Sequence, residues 1–420
     1  MGWLLLMAML QPGADTVTVS ASEALTRAVE TSPAVEAAVL EAVSVSYDAQ
    51  QAEAWANPIL SVSVENLGSS EAFTGIPGIE GLEGQALLTT PLALGGDRGS
   101  RIRYAQAQER LALAGSTVAK ADQARMAAEI IAAAVRDRAL VETAREELET
   151  MERLADALAL QNEEGRASRG DAARADLARG QAATRLARRR VAEAGSSEAL
   201  ARILGLEAGT SVTVTLESCS DPGATATADD ALPRGIAPDL LEADARIEAA
   251  QAGIDQALAR RVPDLLPQVG LRRTGGNSGF YVGLAAPLPL FDYGNRGVDA
   301  ARAGEAAADR SRADLMRRIA AERSAARRSQ EALAEAGRGF SLEWQDNLEA
   351  AVVAAEARFE LGEGTLYELL DNRRARLAAL EDYWQWQAEW WAARARLARL
   401  EGGALEAFAP CAFPGTEGGG

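Results

Sequence analysis

From Asn57 the chain reads NPILSVSVENLG, with Leu60, Val62 and Val64 falling on one face of an extended segment and Ser61, Ser63 and Glu65 on the other. That period of two predicts a β-strand with one apolar face. The pattern returns in PQVGLRRTGG, where Val269 and Leu271 oppose Gln268, Gly270 and Arg272. It returns again in GFYVGLAAP, where Phe280, Val282 and Leu284 align. EGQALLTTPL, from Glu83, alternates less cleanly. Strands are therefore expected at about 58–66 and 84–92, and at about 267–273 and 279–287. Each pair reads as one hairpin, turning at residues 67–83 and 274–279. Edge hairpins of a soluble domain are the competing reading. Against it, the second face holds polar and charged groups, as a water-filled lumen requires.

The remaining pattern is helical. Gly99 to Gly165 and Gly297 to Gly362 contain no proline and are rich in Ala, Arg, Glu and Leu. At 1.5 Å per residue each would run roughly 100 Å, the length of a coiled coil rather than of a domain helix. Shorter segments, about 171–205 and 368–402, return from them. Each long segment thus becomes one arm of a helical hairpin with its tip at Gly165 or Gly362.

The chain is written twice. GRASRGDAARADLARG from Gly165 aligns with GEGTLYELLDNRRARL from Gly362, and the same offset carries LARILG at Leu200 onto LARLEG at Leu397. Upstream, PLALGGDRGSR from Pro91 answers PLPLFDYGNRG from Pro287. The first repeat spans 15–205 and the second 231–402, joined by a linker at 206–230 and followed by a Gly/Pro-rich tail at 403–420 that is expected to be disordered. Pro91 and Pro287 end their strands, because proline removes a ladder donor. Gly95, Gly96 and Gly99 make the corner into the first long helix; Gly294 and Gly297 make the second.

Composition narrows the chemistry. The net charge of −18 over 420 residues argues against a nucleic-acid partner. There is no histidine, and the two cysteines, Cys219 and Cys411, form no metal knuckle. No triad, P-loop or metal-ligand cluster is present, so no enzyme activity, cofactor or resident metal is expected. Residues 1–14 carry an apolar run ending in Pro12, Gly13 and Ala14, which reads as a signal peptide, although no Lys or Arg precedes it. No other stretch reaches the ~18 apolar residues of a membrane-spanning helix. Membrane contact would have to be made by strands. Trp55, Phe291 and Tyr293 fall at the same end of the hairpins, where an interfacial aromatic belt belongs. Four strands cannot close a barrel, and an open edge is not viable in lipid, so several chains would have to share one.

At this point VTVSASEALTRAVETSP, NPILSVSVEN, PLALGGDRGSR, PLPLFDYGNRG and RFELGEGTLYELLDNRRARL together resemble the TolC-type outer membrane factors, and most closely the CzcC-like heavy-metal branch. The resemblance implies a mainly α fold with a small β part. Two repeats of long helical hairpins would build a trimeric α-barrel, with four strands per chain in a shared twelve-stranded transmembrane β-barrel. It implies a homotrimer in the outer membrane of a Gram-negative bacterium, touching outer membrane lipid, with a long periplasmic extension. A periplasmic adaptor and an inner-membrane pump of the RND type are the implied partners. The implied activity is passive exit of substrates, heavy-metal cations first among them. A duct for drugs or type I secreted proteins is an alternative, and a soluble periplasmic coiled-coil scaffold is an alternative of another class.

The family's periplasmic gate maps onto Glu368 and Asp371, with Phe359 at the family's aromatic position and Glu363 competing nearer the turn. Gly364 stands where a basic residue is common, which puts a salt-bridge gate there in doubt. Arg166, Arg169 and Asp171 in the first tip are substitute charges. Gly165, Ala167, Ser168, Gly362, Gly364 and Thr365 would dock the adaptor. Cys219 and Cys411 follow equivalent glycines, Gly205 and Gly402, and could pair as a disulfide in an equatorial belt.

Overall fold

The computed structural model describes residues 16–65, 83–218, 235–274, 277–404 and 411–412. The expected signal peptide, the first hairpin turn, Cys219 and hence any disulfide to Cys411 lie outside these residues. Along the first half run β1 (Thr16–Ser20), α1 (Ala21–Glu30), α2 (Pro33–Glu53), β2 (Ile59–Glu65), β3 (Glu83–Thr89), α3 (Asp97–Glu163), α4 (Arg169–Ile203), β4 (Ser211–Thr215) and β5 (Glu217–Ser218). The second half holds α5 (Pro238–Ala259), β6 (Leu266–Thr274), β7 (Asn277–Ala285), α6 (Asn295–Gly337), α7 (Leu342–Glu360), α8 (Leu366–Glu401) and β8 (Cys411–Ala412). The chain forms two units: residues 1–37, 117–238 and 317–420, and residues 38–116 and 239–316.

The second unit contains one antiparallel sheet in the order β2-β3-β6-β7. Its register sets Leu60 opposite Leu88, Leu88 opposite Val269 and Val269 opposite Val282. One row away, Val62, Ala86, Leu271 and Phe280 are aligned across the same four strands. The irregular segment at Glu83 therefore supplies two residues to a continuous apolar face. That face is bare: Val62 is 68% exposed and Phe280 92%. Gly270 is there because the strands approach closely; a Cβ would stand 2.0 Å from the Ala86 carbonyl oxygen. Tyr281 pairs with Gly270 across the ladder and covers Gly283 beside it, an aromatic compensating for missing side chains.

The corners explain the twice-written motif. Gly96 and Gly294 have φ of 73° and 72°, the left-handed region that glycine enters without cost. Gly95 is required by space, since a Cβ would lie 2.5 Å from Val262 Cβ. Gly99 and Gly297 sit in the first turns of α3 and α6 with room around them. Arg98 Nη2 donates to the Glu53 carbonyl at 2.5 Å, and Arg101 donates to the carbonyls of Ala52 and Ala54. These are the orphan acceptors at the end of α2, so the arginines of DRGSR act as its C-cap. Arg98 also lies 4.7 Å over the ring of Trp55, which is otherwise exposed. At the second corner Arg261 Nε donates to the Tyr293 carbonyl at 3.2 Å, and Phe291 stands fully exposed.

In the first unit β1 and β4 form a parallel pair, TVTVS against SVTVT. Their matching alternation was present in the sequence and went unread. Leu25, Ala28, Ala127, Ile131, Leu200, Leu204 and Ala398 form the adjoining core. Two expectations are corrected. The second long helix is not continuous: it stops at Gly337 and restarts at Leu342. Gly337 and Gly339 weaken the helix, and the Ser341 side chain accepts from Trp344 N–H as a new N-cap. Phe340 leaves the helix to meet Trp344, Tyr383 and Trp386 at ring distances of 5.1, 5.4 and 5.2 Å. The aromatic run near the end of the chain is therefore core packing, with Tyr383, Trp390 and Trp391 buried. The tail is the other correction, since Cys411–Ala412 pairs in parallel with Glu217–Ser218, and ladder hydrogen bonds order that short piece.

Gly270→Val is expected to break the β3–β6 ladder. Proteolysis of the sheet in detergent should rise sharply while far-UV helicity is retained; an unchanged digestion pattern would show that the close approach is dispensable.

Candidate functional site

Both hairpin tips use one local grammar. A glycine with positive φ ends the inbound helix, Gly165 at 73° and Gly362 at 74°. Three residues later a hydroxyl caps the outbound helix: Ser168 accepts from Asp171 N–H at 3.0 Å, and Thr365 from Glu368 N–H at 3.2 Å. The capped position carries a carboxylate each time, as in a capping box. Ser168 Oγ also donates to Asp171 Oδ2 at 2.6 Å. Ser168 and Thr365 thus hold the shape of the tips, whatever else they meet.

The expected gate residues do not share one environment. Glu368 pairs with Arg358 at 2.5 Å. Asp371, one turn on, is exposed and has no hydrogen bond or ion pair among the described residues. Glu363 is exposed. Phe359 is half-buried and packs against the core of the hairpins, with Met151, Leu158, Ala175, Leu366 and Leu370. Ala167 touches the same core. In the first tip Arg166 pairs with Glu164, and Asp171 with Arg174 at 3.2 Å. Arg358 was missed in the sequence because it lies before the turn and meets Glu368 only once the tip closes. Gly364 makes room for it, since a Cβ there would come 3.1 Å from Arg358 Cβ.

Above the tips a buried ion cluster ties the two hairpins together. Arg373 of α8 meets Glu147 of α3 at 3.4 Å and also pairs with Glu356 of α7. The Glu147 and Arg373 side chains are 7% and 12% exposed. Burial pushes the Glu147 carboxyl up, against the pull of the Arg373 guanidinium, and burial pulls Arg373 down. Beside this cluster lies a groove of about 840 Å³ lined by Gln161, Arg166, Asp171, Glu360, Gly362 and Arg373. Among the described residues no group of Cys, Asp or Glu is arranged to hold a metal ion, and no helix is long and apolar enough to cross a membrane.

Arg373→Met should lower stability by about 3–5 kcal/mol at neutral pH, because it leaves a buried carboxylate unpaired. Without Arg373 the Glu147 pKa rises further. A raised carboxyl favours the folded state only where it is protonated, so the deficit should shrink as pH falls toward the ordinary carboxylate range. Thermal unfolding across pH checks this; a pH-independent deficit would count against the pairing.

A match to the family model described as outer membrane efflux protein covers residues 234–403. The nickel-cobalt-cadmium resistance protein NccC of Alcaligenes xylosoxydans xylosoxydans is 32% identical over 306 residues, covering 67% of this chain and 62% of that one. The nickel and cobalt resistance protein CnrC of Cupriavidus metallidurans is 33% identical over 301 residues, covering 68% of this chain and 67% of that one. The chain therefore spans about two thirds of the length of these relatives. Among solved structures, the outer membrane protein VceC of Vibrio cholerae matches with a TM-score of 0.71 at 20% identity, over 92% of this chain and 96% of that one. The doubled helical hairpin, the four-stranded sheet and the relatedness to CnrC lead to one conclusion: the chain belongs to the outer membrane efflux protein family.

Proposed function

We propose that the chain is the exit duct of a tripartite efflux system, a homotrimer whose four-stranded sheets join into one transmembrane barrel. The observation that carries this reading is the sheet. Its apolar face is exposed, and its outer strands, β2 and β7, have no partner on their far sides among the described residues. In lipid such edges must be paired. Three copies of four strands give a closed, even-numbered barrel of about twelve. The opposite face, with Ser61, Ser63, Gln85 and Arg272, then lines water. Trp55, Phe291 and Tyr293 anchor the boundary near the corners.

The cargo is inferred to be heavy-metal cations, on the strength of NccC and CnrC, whose names record resistance to nickel and cobalt. The duct conducts passively. A periplasmic adaptor and an inner-membrane pump of the RND type supply selection and energy, the adaptor docking at the capped tips. Asp371 supplies the unpaired carboxylate of the periplasmic constriction. Glu368, already held by Arg358, shapes the tip beside it. Repeated by symmetry, such carboxylates attract cations at the narrowest point.

The experiment is planar-bilayer conductance of the full chain purified in detergent, with its mass measured in the same preparation. Discrete, cation-preferring steps from a trimer are expected, and a protein without steps overturns the reading. Asp371→Ala should raise single-channel conductance and reduce cation preference, and Glu368→Ala should do so less. Equal and negligible effects would remove both from the constriction.

A further inference from the structure

The apolar face of the sheet ends in a cation. Along β6 that face carries Pro267, Val269, Leu271 and Arg273. The first three lie opposite Leu284, Val282 and Phe280 of β7, all exposed. The last row reads Val64, Gly84, Arg273 and Ser278 across the four strands. Val64 and Ser278 are exposed, and Arg273 is half-buried. This row holds no carboxylate, because Glu65 and Glu83, one position along, alternate to the opposite face. Arg273 has no hydrogen bond or ion pair among the described residues, and its Nε is sealed from solvent without an acceptor. A guanidinium has five N–H donors and accepts nothing, so this one calls for an anion from outside the chain. The neighbours leave room for it: Gly84 has no side chain, and Ser278 adds a hydroxyl donor.

Strand direction fixes the level of this cation. The corners into α3 and α6, with Trp55, Phe291 and Tyr293, lie at the other end of the hairpins. Leu265, bridged to Leu92 beside the first corner, is eight residues from Arg273. That is about 26 Å along the strand, or about 20 Å of height at the tilt of a barrel. The apolar band of such a barrel is about 25 Å tall. Arginine carries its charge at the end of a long apolar stem, so the guanidinium reaches the far boundary of the band, where headgroups replace acyl chains. A cation at mid-band is strongly disfavoured; at the boundary it is tolerated and available to a ligand.

We propose that Arg273, with Ser278, binds the phosphate of a phosphorylated lipid in the outer leaflet. The inference rests on the membrane reading proposed above and adds a lipid site to it. The guanidinium is a planar fork that meets a phosphate with two parallel hydrogen bonds, and the Ser278 hydroxyl donates a third. Leu271, Phe280 and Val64, all exposed, hold the acyl chains beside it. Acyl contact retains lipid of any kind; the guanidinium selects for phosphate. Arg272 is one residue away and exposed, but alternation places it on the opposite, water-lined face, which makes it the control.

The test is native mass spectrometry of the full chain in detergent, titrated with diphosphorylated lipid A and, separately, with the same lipid stripped of its phosphates. The wild type should prefer the phosphorylated form, and Arg273→Gln should weaken its binding about tenfold. Arg273→Lys should retain part of it, and Arg272→Gln all of it. Equal binding of the two lipids, or an Arg273→Gln variant that binds as the wild type does, overturns the site. Inorganic phosphate at millimolar concentration is the third probe: if it displaces the lipid, the site is one for free anions and the lipid assignment is overturned. Should Arg273→Gln misfold, the comparison of the two lipids on the wild type still decides. A wild type that takes up neither lipid overturns the membrane reading itself; one that takes up both alike overturns only the phosphate site.

Discussion

Hydrocarbon offers no hydrogen bonds, and the proposed duct depends on that constraint. An amide placed in lipid must find its partner in another amide. Among the described residues the sheet has four strands and two open edges, so in the proposed duct the barrel is shared between copies. Each hairpin hands its chain to a helix, twice per chain. The corner must be tight, and it must satisfy the last carbonyls of the preceding helix. Gly96 and Gly294 provide the turn, and Arg98 and Arg101 provide the donors. A motif that looks like a signature is thus a solution to backbone bookkeeping.

The helical part follows from a different balance. Alanine is the commonest residue of the buried core, as at Ala124, Ala127, Ala128, Ala395 and Ala398. Small side chains allow close helix contact but bury little area each, about 25 cal/mol per Å² of apolar surface. Specific fastening is then concentrated in a few larger groups. Tyr383, Trp386, Trp390 and Trp391 fasten the upper part of α8. Arg373 with Glu147 and Glu356 fastens the lower part. Burial makes the ion cluster costly to break more than it makes it stabilising.

Much of this was legible in the chain. Period-two alternation announced three of the four strands, and the repeat announced the fourth by position. Proline-free runs between Gly99 and Gly165 announced α3. The break in the second long helix was not legible, because Gly337 and Gly339 are ordinary small residues in an alanine-rich helix until Phe340 has somewhere to go. That destination, Tyr383 and Trp386, is more than forty residues away. At the tips, Ser168 and Thr365 were read as docking residues and Glu368 as a gate residue, and their capping geometry emerged only in the structure. Arg358 was not, because its partner is set by how the turn closes rather than by sequence distance. The pairing of β1 with β4 lay in plain view as TVTVS and SVTVT, but parallel strands nearly two hundred residues apart carry no local turn to announce them.

The helix break makes the two repeats mechanically unlike. α3 runs for 67 residues without interruption, whereas its counterpart is divided into rods of 43 and 19 residues around a four-residue joint. A rod transmits torque along its whole length; a jointed rod concentrates it at the joint. Twist applied to the second tip would therefore be absorbed near Phe340, beneath a clamp of aromatic rings, while twist applied to the first would travel up the full helix. The two repeats are written alike, and the sequence between Gly337 and Ser341 divides one long arm while the other stays a single rod.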